Sequence, residues 1–132
     1  MSRASKLGKN LKQREAGTFL SALFFKAKTL WKDKKMLTHI VIIRTRQKDK
    51  VDFIRKGLET LKAIEGVKFF SYGAPVPSAR PVVDDFFDLA LIVAFEDGAA
   101  GLKRYAEHPV HVKFVQEYLN PAEAKLLVYD VE

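Results

Sequence analysis

Along residues 37–132 the apolar positions change period several times, and each change marks an element. Residues 37–46 (LTHIVIIRTR) are dense in Ile and Val and predict a strand. On a period of two, His39, Val41, Ile43 and Thr45 share one face and Ile40, Ile42 and Arg44 the other. Val51, Ile54, Leu58, Leu61 and Ile64 then recur at spacings of 3, 4, 3 and 3, which predicts a helix over residues 49–65. Asp49 is its expected N-cap, and Gly66 supplies the positive φ of a C-terminal stop. A second strand is expected over residues 67–73 (VKFFSYG). Residues 74–85 hold three of the five prolines and read as a loop, a candidate semi-rigid lid.

Residues 86–96 (FFDLALIVAFE) predict a third strand. Asp97 is placed to cap a helix containing Leu102, Tyr105 and Ala106. His108 precedes Pro109, which disfavours helical backbone at His108. Pro109 then suits the first position of a second short helix reaching about Leu119, which Asn120-Pro121 stops. Residues 124–131 (AKLLVYDV) give the last strand. The order β-α-β-β-α-β predicts an α+β ferredoxin-like unit with a four-stranded antiparallel sheet. Helices cover one face of such a sheet. The third strand is nevertheless apolar on both faces, with Phe87, Leu89, Leu91, Val93 and Phe95 on one and Ala90, Ile92 and Ala94 on the other. A solvated antiparallel face alternates with polar residues, so the second face is expected to be buried against a second copy, in a homodimer.

Residues 1–36 follow different rules. From Thr18, a candidate N-cap, a stripe of Phe19, Leu20, Leu23, Phe24, Ala27, Leu30 and Trp31 predicts an amphipathic helix, with Lys26, Lys28 and Lys32 toward its polar side. The favoured reading is a helix that packs on the domain or on a partner chain. The alternatives are a membrane-surface helix over residues 18–35 and a targeting peptide. No A-x-A cleavage site appears, so a secretory signal is not expected and the cytoplasm is the expected location; an organellar presequence stays open for a eukaryotic source. Met36 is an alternative start, because a complete strand follows it.

The chain is 132 residues long, enough for one core. Its formal charge of +7 is uneven. Residues 1–36 carry ten Lys/Arg against Glu15 and Asp33, whereas the remainder holds 13 Lys/Arg and 14 Asp/Glu. A near-neutral domain lacks the electrostatic footprint of a nucleic-acid binder, and none is expected as a partner. Cysteine is absent, which removes disulfides, thiolate metal sites and thiol nucleophiles.

Candidate chemistry centres on residues 105–114 (YAEHPVHVKF), with two of the three histidines. Histidine's ordinary pKa of about 6.5 suits a base that takes a proton α to a carbonyl. A tyrosine hydroxyl can donate to the enolate oxygen that develops. His111 as base and Tyr105 as donor form a coherent pair, aimed from opposite sides of the Pro109 break. Core packing is the competing reading for both. His108 reads as structural, an N-cap-like residue, and His39 as a core or cavity-lining histidine. No metal site is expected: Pro109 separates His108 from His111, and the Asp84-Asp85…Asp88 cluster reads as a solvated loop end. There is no phosphate-cradling Gly loop and no G-x-S-x-G.

Several of these pieces together resemble a known family. They are THIVII, the Leu61-x-x-Ile64-x-Gly66-Val67 helix end, Ala94-Phe95-Glu96-Asp97, Tyr105-x-x-His108-Pro109-x-His111 and Leu126-Leu127-Val128-Tyr129-Asp130. In this order they resemble the stress-responsive dimeric α/β barrel (Dabb) domain over residues 37–132, leaving residues 1–36 as a basic extension. The resemblance implies a ferredoxin-like fold and a dimer whose two sheets form a barrel. It extends distantly to plant polyketide cyclases of the olivetolic acid cyclase type, which close poly-β-keto thioesters by aldol chemistry without a cofactor. It implies Tyr105 and His111 as acting residues, His39 as cavity-lining, and no cofactor. The cyclases carry a further histidine in the third strand. Here Leu89, Ala90 and Leu91 stand there, which implies a more apolar cavity lined also by Leu89, Leu91 and Phe114. Two functions follow: a barrel that binds a small apolar metabolite, with acid/base chemistry by His111 and Tyr105, or a non-catalytic stress-response scaffold whose N-terminal helix contacts a membrane or partner.

Overall fold

Four strands run antiparallel in the spatial order β2-β3-β1-β4, in a computed structural model that describes residues 35–132. The amphipathic stripe from Thr18 onward lies outside the described residues. The strands are β1 (Leu37–Arg44), β2 (Phe69–Gly73), β3 (Leu89–Phe95) and β4 (Lys125–Val131). Between β1 and β2 comes α1 (Val51–Thr60), flanked by 3-10 turns at Lys48–Lys50 and Leu61–Ala63. Between β3 and β4 come α2 (Ala99–Glu107), α3 (Pro109–Phe114) and a π-helical segment, Val115–Leu119. This is the expected ferredoxin-like α+β arrangement.

The two faces of the sheet differ as the pattern requires. Leu37, Val41 and Ile43 of β1 and Leu89, Leu91, Val93 and Phe95 of β3 are buried under the helices. Ile54, Leu58, Leu61, Tyr105 and Phe114 meet them from above. The opposite face is open. Phe69, Ile92, Leu127, Tyr129 and Val131 share it by register and are all exposed. All seven residues of β4 are exposed, on both its faces.

Several boundaries differ from expectation, each for a local reason. β1 ends at Arg44 because the Thr45 amide donates to the Asp88 carboxylate (2.8 Å) instead of to a neighbouring strand. The Thr45 hydroxyl, buried, donates to the Ala122 carbonyl at 2.6 Å. β3 begins at Leu89 rather than Phe86, because the Phe86 and Phe87 amides turn back to Asp84 Oδ1 (3.0 Å) and the Asp85 carbonyl (3.0 Å). Asp88 is therefore a loop anchor, and Lys48 Nζ also reaches it at 2.9 Å. Asp49 lies inside a 3-10 turn and caps nothing; the cap position of α1 is Lys50, without a side-chain bond. Asp97 does not cap α2 either. Gly98 takes that position at φ 64, a backbone that favours glycine, while Asp97 accepts from Arg104 at 2.7 Å. Gly66 does have positive φ, +79, but it is not the stop of the helix expected over residues 49–65: helical backbone ends at Ala63 and Ile64 is already extended. Among the described residues no helix is long and apolar enough to cross a membrane.

Candidate functional site

The break at Pro109 organises the site. Proline at the first position of α3 forces the preceding residue out of helical backbone, and His108 sits at φ −62, ψ 137. Its Nδ1 accepts the Val110 amide at 3.1 Å, so the imidazole caps α3, as its N-cap-like reading anticipated. Tyr105 lies in the last turn of α2 and His111 in the first turns of α3. The kink brings their rings to 4.8 Å between centroids, at 56°.

From the sheet side, His39 of β1 approaches Tyr105 edge-on at 6.1 Å. Phe95 of β3 packs on the same ring at 5.3 Å. Tyr105 is thus enclosed by two imidazoles and a phenyl ring, and only 1% of its surface is exposed. Its hydroxyl is buried with no hydrogen-bond partner. Among the described residues that is the exception, since buried polar side chains are nearly always paired.

The electrostatics assign different roles to the two rings. Burial pushes the Tyr105 phenol far above its ordinary pKa, so it stays protonated and can only donate or accept as a neutral hydroxyl. Burial holds His111 below its ordinary value; a hydrogen bond to the Ala106 carbonyl opposes this, and the charge of His39 adds to the lowering. His111 is therefore neutral at pH 7 and keeps a lone pair for a proton. His39 has a carboxylate partner, with Nδ1 2.5 Å from Asp130 Oδ1. This orients the His39 ring from β4, its neighbour in the ladder.

Other expected residues fall variously. Phe114 is buried, with its ring 6.5 Å from His111. Leu89 and Leu91 are also buried, but β3 pairs Leu91 with Val41 and Leu89 with Ile43, whereas the partner of His39 is Val93. At about 3.3 Å per residue, Leu89 lies roughly 13 Å along the strand from that position. Val93 and Phe95 are the β3 residues beside the aromatic cluster, a placement that needs the ladder register. Asp130 belongs to the site by the same register, and the only signal in the sequence is its place in the terminal Leu-Leu-Val-Tyr-Asp segment. Among the described residues no group of three His, Cys, Asp or Glu side chains is placed to hold a metal ion.

The sequence pattern of the Stress responsive A/B Barrel Domain family (Dabb) matches residues 37–132. The chain belongs to this family. Within it, a stress-response A/B barrel domain-containing protein of Arabidopsis thaliana is 35% identical over 77 residues, which span 58% of this chain and 68% of the relative. Among solved structures, a Dabb family protein with a ferredoxin-like fold from Mesorhizobium loti is 27% identical, with a TM-score of 0.57 over 74% of this chain and 95% of the other. A dimeric ferredoxin-like protein from Jannaschia is 22% identical, with a TM-score of 0.59 over 74% of this chain and 98% of the other. The last comparison shows the fold alone. In this A/B barrel domain, the cluster around Tyr105 thus lies between the helix layer and the sheet of a familiar scaffold.

Proposed function

We propose that this A/B barrel protein is a homodimer that binds a small apolar carbonyl metabolite beside Tyr105 and moves a proton on it without a cofactor. The observation that carries the reading is the buried, unpartnered Tyr105 hydroxyl between His39 and His111. A group left in that state is positioned for a partner that arrives later. A ligand carbonyl oxygen would take the hydroxyl's hydrogen bond, worth most where water is excluded. Neutral His111 would remove a proton α to that carbonyl, and the negative charge would pass to the oxygen that Tyr105 faces. His39, held by Asp130, would orient the other side of the ligand. Because the hydroxyl is sealed in this state, entry requires the packing of α3 to open; the π segment Val115–Leu119 behind it supports such movement, since π turns recur at functional sites. The dimer part rests on the open apolar sheet face and on dimeric relatives of this fold.

A second reading draws on the same burial of Tyr105. A dry, packed cluster suits a non-catalytic oligomeric scaffold in which residues 1–35 contact the partner or membrane. A thermal-shift screen of the full chain with β-keto acids, phenolic acids and short acyl thioesters separates the two. A ligand at one hundred times its dissociation constant stabilises by about 2.7 kcal/mol. The first reading expects a hit that weakens in both His111→Ala and Tyr105→Phe. A screen without hits, and activity that disappears on removal of residues 1–35, would establish the scaffold instead.

A further inference from the structure

Far from the Tyr105 cluster, the opposite end of β1 opens onto a cleft of about 720 Å³. Arg44, Arg46, Lys125, Asp85, Phe86 and Glu123 are among its walls. Arg44, the last residue of β1, stands directly opposite Lys125, the first residue of β4, so both sit at the end of the open sheet face proposed to meet a second copy. Like charges face to face across a ladder repel. Some cations elsewhere on this domain are neutralised, Lys62 by Glu59 at 2.7 Å, Lys68 by Glu96 at 3.0 Å and Arg104 by Asp97 at 2.7 Å, whereas others, such as Lys56 and Lys103, stand singly on the surface; what sets the cleft apart is that its unpaired cations face one another. Lys48, at the edge of the same cleft, is neutralised by Asp88. Among the described residues, Arg44, Arg46 and Lys125 take part in no ion pair. The nearby Asp88 carboxylate is already occupied by Lys48 and the Thr45 amide.

Beside these cations stands an aromatic ring. The Arg44 guanidinium lies 5.2 Å from the centroid of Phe86, and Phe86 is 76% exposed. A bare ring next to an unpaired, planar guanidinium offers a stacking surface and a fork for a carboxylate. Asp85 and Glu123 also line the walls, and they limit the negative charge the cleft accepts. A cleft of this size lies within the usual range for small-molecule sites, roughly 300–1,000 Å³.

We propose that this cleft binds a small aromatic monocarboxylate, with its carboxylate between Arg44 and Lys125 and its ring against Phe86. The site is separate from the acid/base cluster. Arg44 and His39 are five residues apart on one strand, about 17 Å at 3.3 Å per residue, and the proposal does not depend on the chemistry assigned to Tyr105.

The test is an amide-resonance titration of the isotope-labelled full chain with naphthalene carboxylate. The neutral naphthalene methanol and the dianionic naphthyl phosphate run in parallel. The expected result is shifts at Arg44, Phe86 and Lys125, with the carboxylate binding more tightly than either analogue. Arg44→Gln and Lys125→Gln should each weaken it by about tenfold, the usual effect of losing one charged hydrogen bond. Phe86→Ala changes an exposed side chain and should weaken it without disturbing the remaining spectrum, so a folding defect in a β-strand variant leaves the proposal testable. Tyr105→Phe should leave the affinity of this cleft for the carboxylate unchanged. The proposal is overturned by an absence of shifts at millimolar carboxylate, by equal binding of the alcohol, by tighter binding of the phosphate, or by shifts that centre on His111 and disappear in Tyr105→Phe.

Discussion

Replacing Tyr105 by Phe should make the ligand-free protein more stable while removing the group proposed to meet the ligand. The tyrosine ring is in contact with Phe95, His39 and His111, and phenylalanine preserves those contacts. What is lost is one oxygen, buried and without a partner. Burying a hydroxyl uncompensated costs about 1–3 kcal/mol. The void left by one oxygen, of order 10 Å³, costs only about 0.2 kcal/mol at roughly 24 cal/mol per Å³. The net expectation is a gain of about 1–3 kcal/mol. For a domain of this size each kcal/mol moves Tm by about 4–8 °C. Urea unfolding followed by far-UV circular dichroism, at one fixed protomer concentration because any dimer links stability to concentration, reads the difference directly. The slope m should be unchanged and the midpoint higher. A variant less stable than the parent by about 1 kcal/mol or more would refute the reasoning, because it would mean that the hydroxyl is bonded in the resting protein.

Three further outcomes follow from the same structure. His111 has a lower proton affinity folded than unfolded, so its contribution to stability should be complete above its unfolded value of about 6.5 and lost as pH falls below that toward the depressed folded value; urea midpoints between pH 7 and 5 should show this limb, flattened in His111→Gln. Gly57→Ala would place a Cβ 2.5 Å from Tyr118 Cγ and 2.8 Å from its Cβ; crowding at the root of that side chain, about 1–3 kcal/mol, outweighs the helix-propensity gain of about 1 kcal/mol, so the urea midpoint should fall. Ile92→Lys puts a charge on the open apolar face; sedimentation velocity should then show monomer where the parent shows dimer, and a parent already monomeric at micromolar concentration would remove the dimer from the proposal.

Where the chain carries its own periodicity, the sequence was sufficient to read. The Ile54, Leu58 and Leu61 stripe, the positive φ of Gly66 and the cap at His108-Pro109 are local effects, each decided within a few residues. The juxtaposition of Tyr105 and His111 was legible for the same reason, since one proline bends six residues. The ends of strands were less legible because they depend on side chains that arrive from elsewhere. Asp88 removes the Thr45 amide from β1 across 43 positions. Asp97, a natural cap by composition, is diverted by Arg104, seven residues further on. The β3 residues at the cluster, Val93 and Phe95, and the carboxylate Asp130 depend on ladder register, which a period-two pattern leaves free to slide in steps of two.

The strand order also bears on how this protein acquires its site during folding. β1 has no hairpin neighbour: its partners are β3 and β4, and the contact between His39 and Asp130 closes a loop of 91 positions. Among the described residues, only β2 and β3 are strands both sequential and paired. Loop closure must be met in entropy before such distant pairs return any enthalpy, and chains of this kind fold slowly. The Tyr105–His111 kink can form early from local contacts, but His39 and Asp130 join it only when the last strand docks. Refolding followed at both places should therefore show helix signal first and the imidazole–carboxylate pair last, so that a chain still emerging from the ribosome has the tyrosine and its neighbouring base but not the histidine–carboxylate pair that completes the cluster.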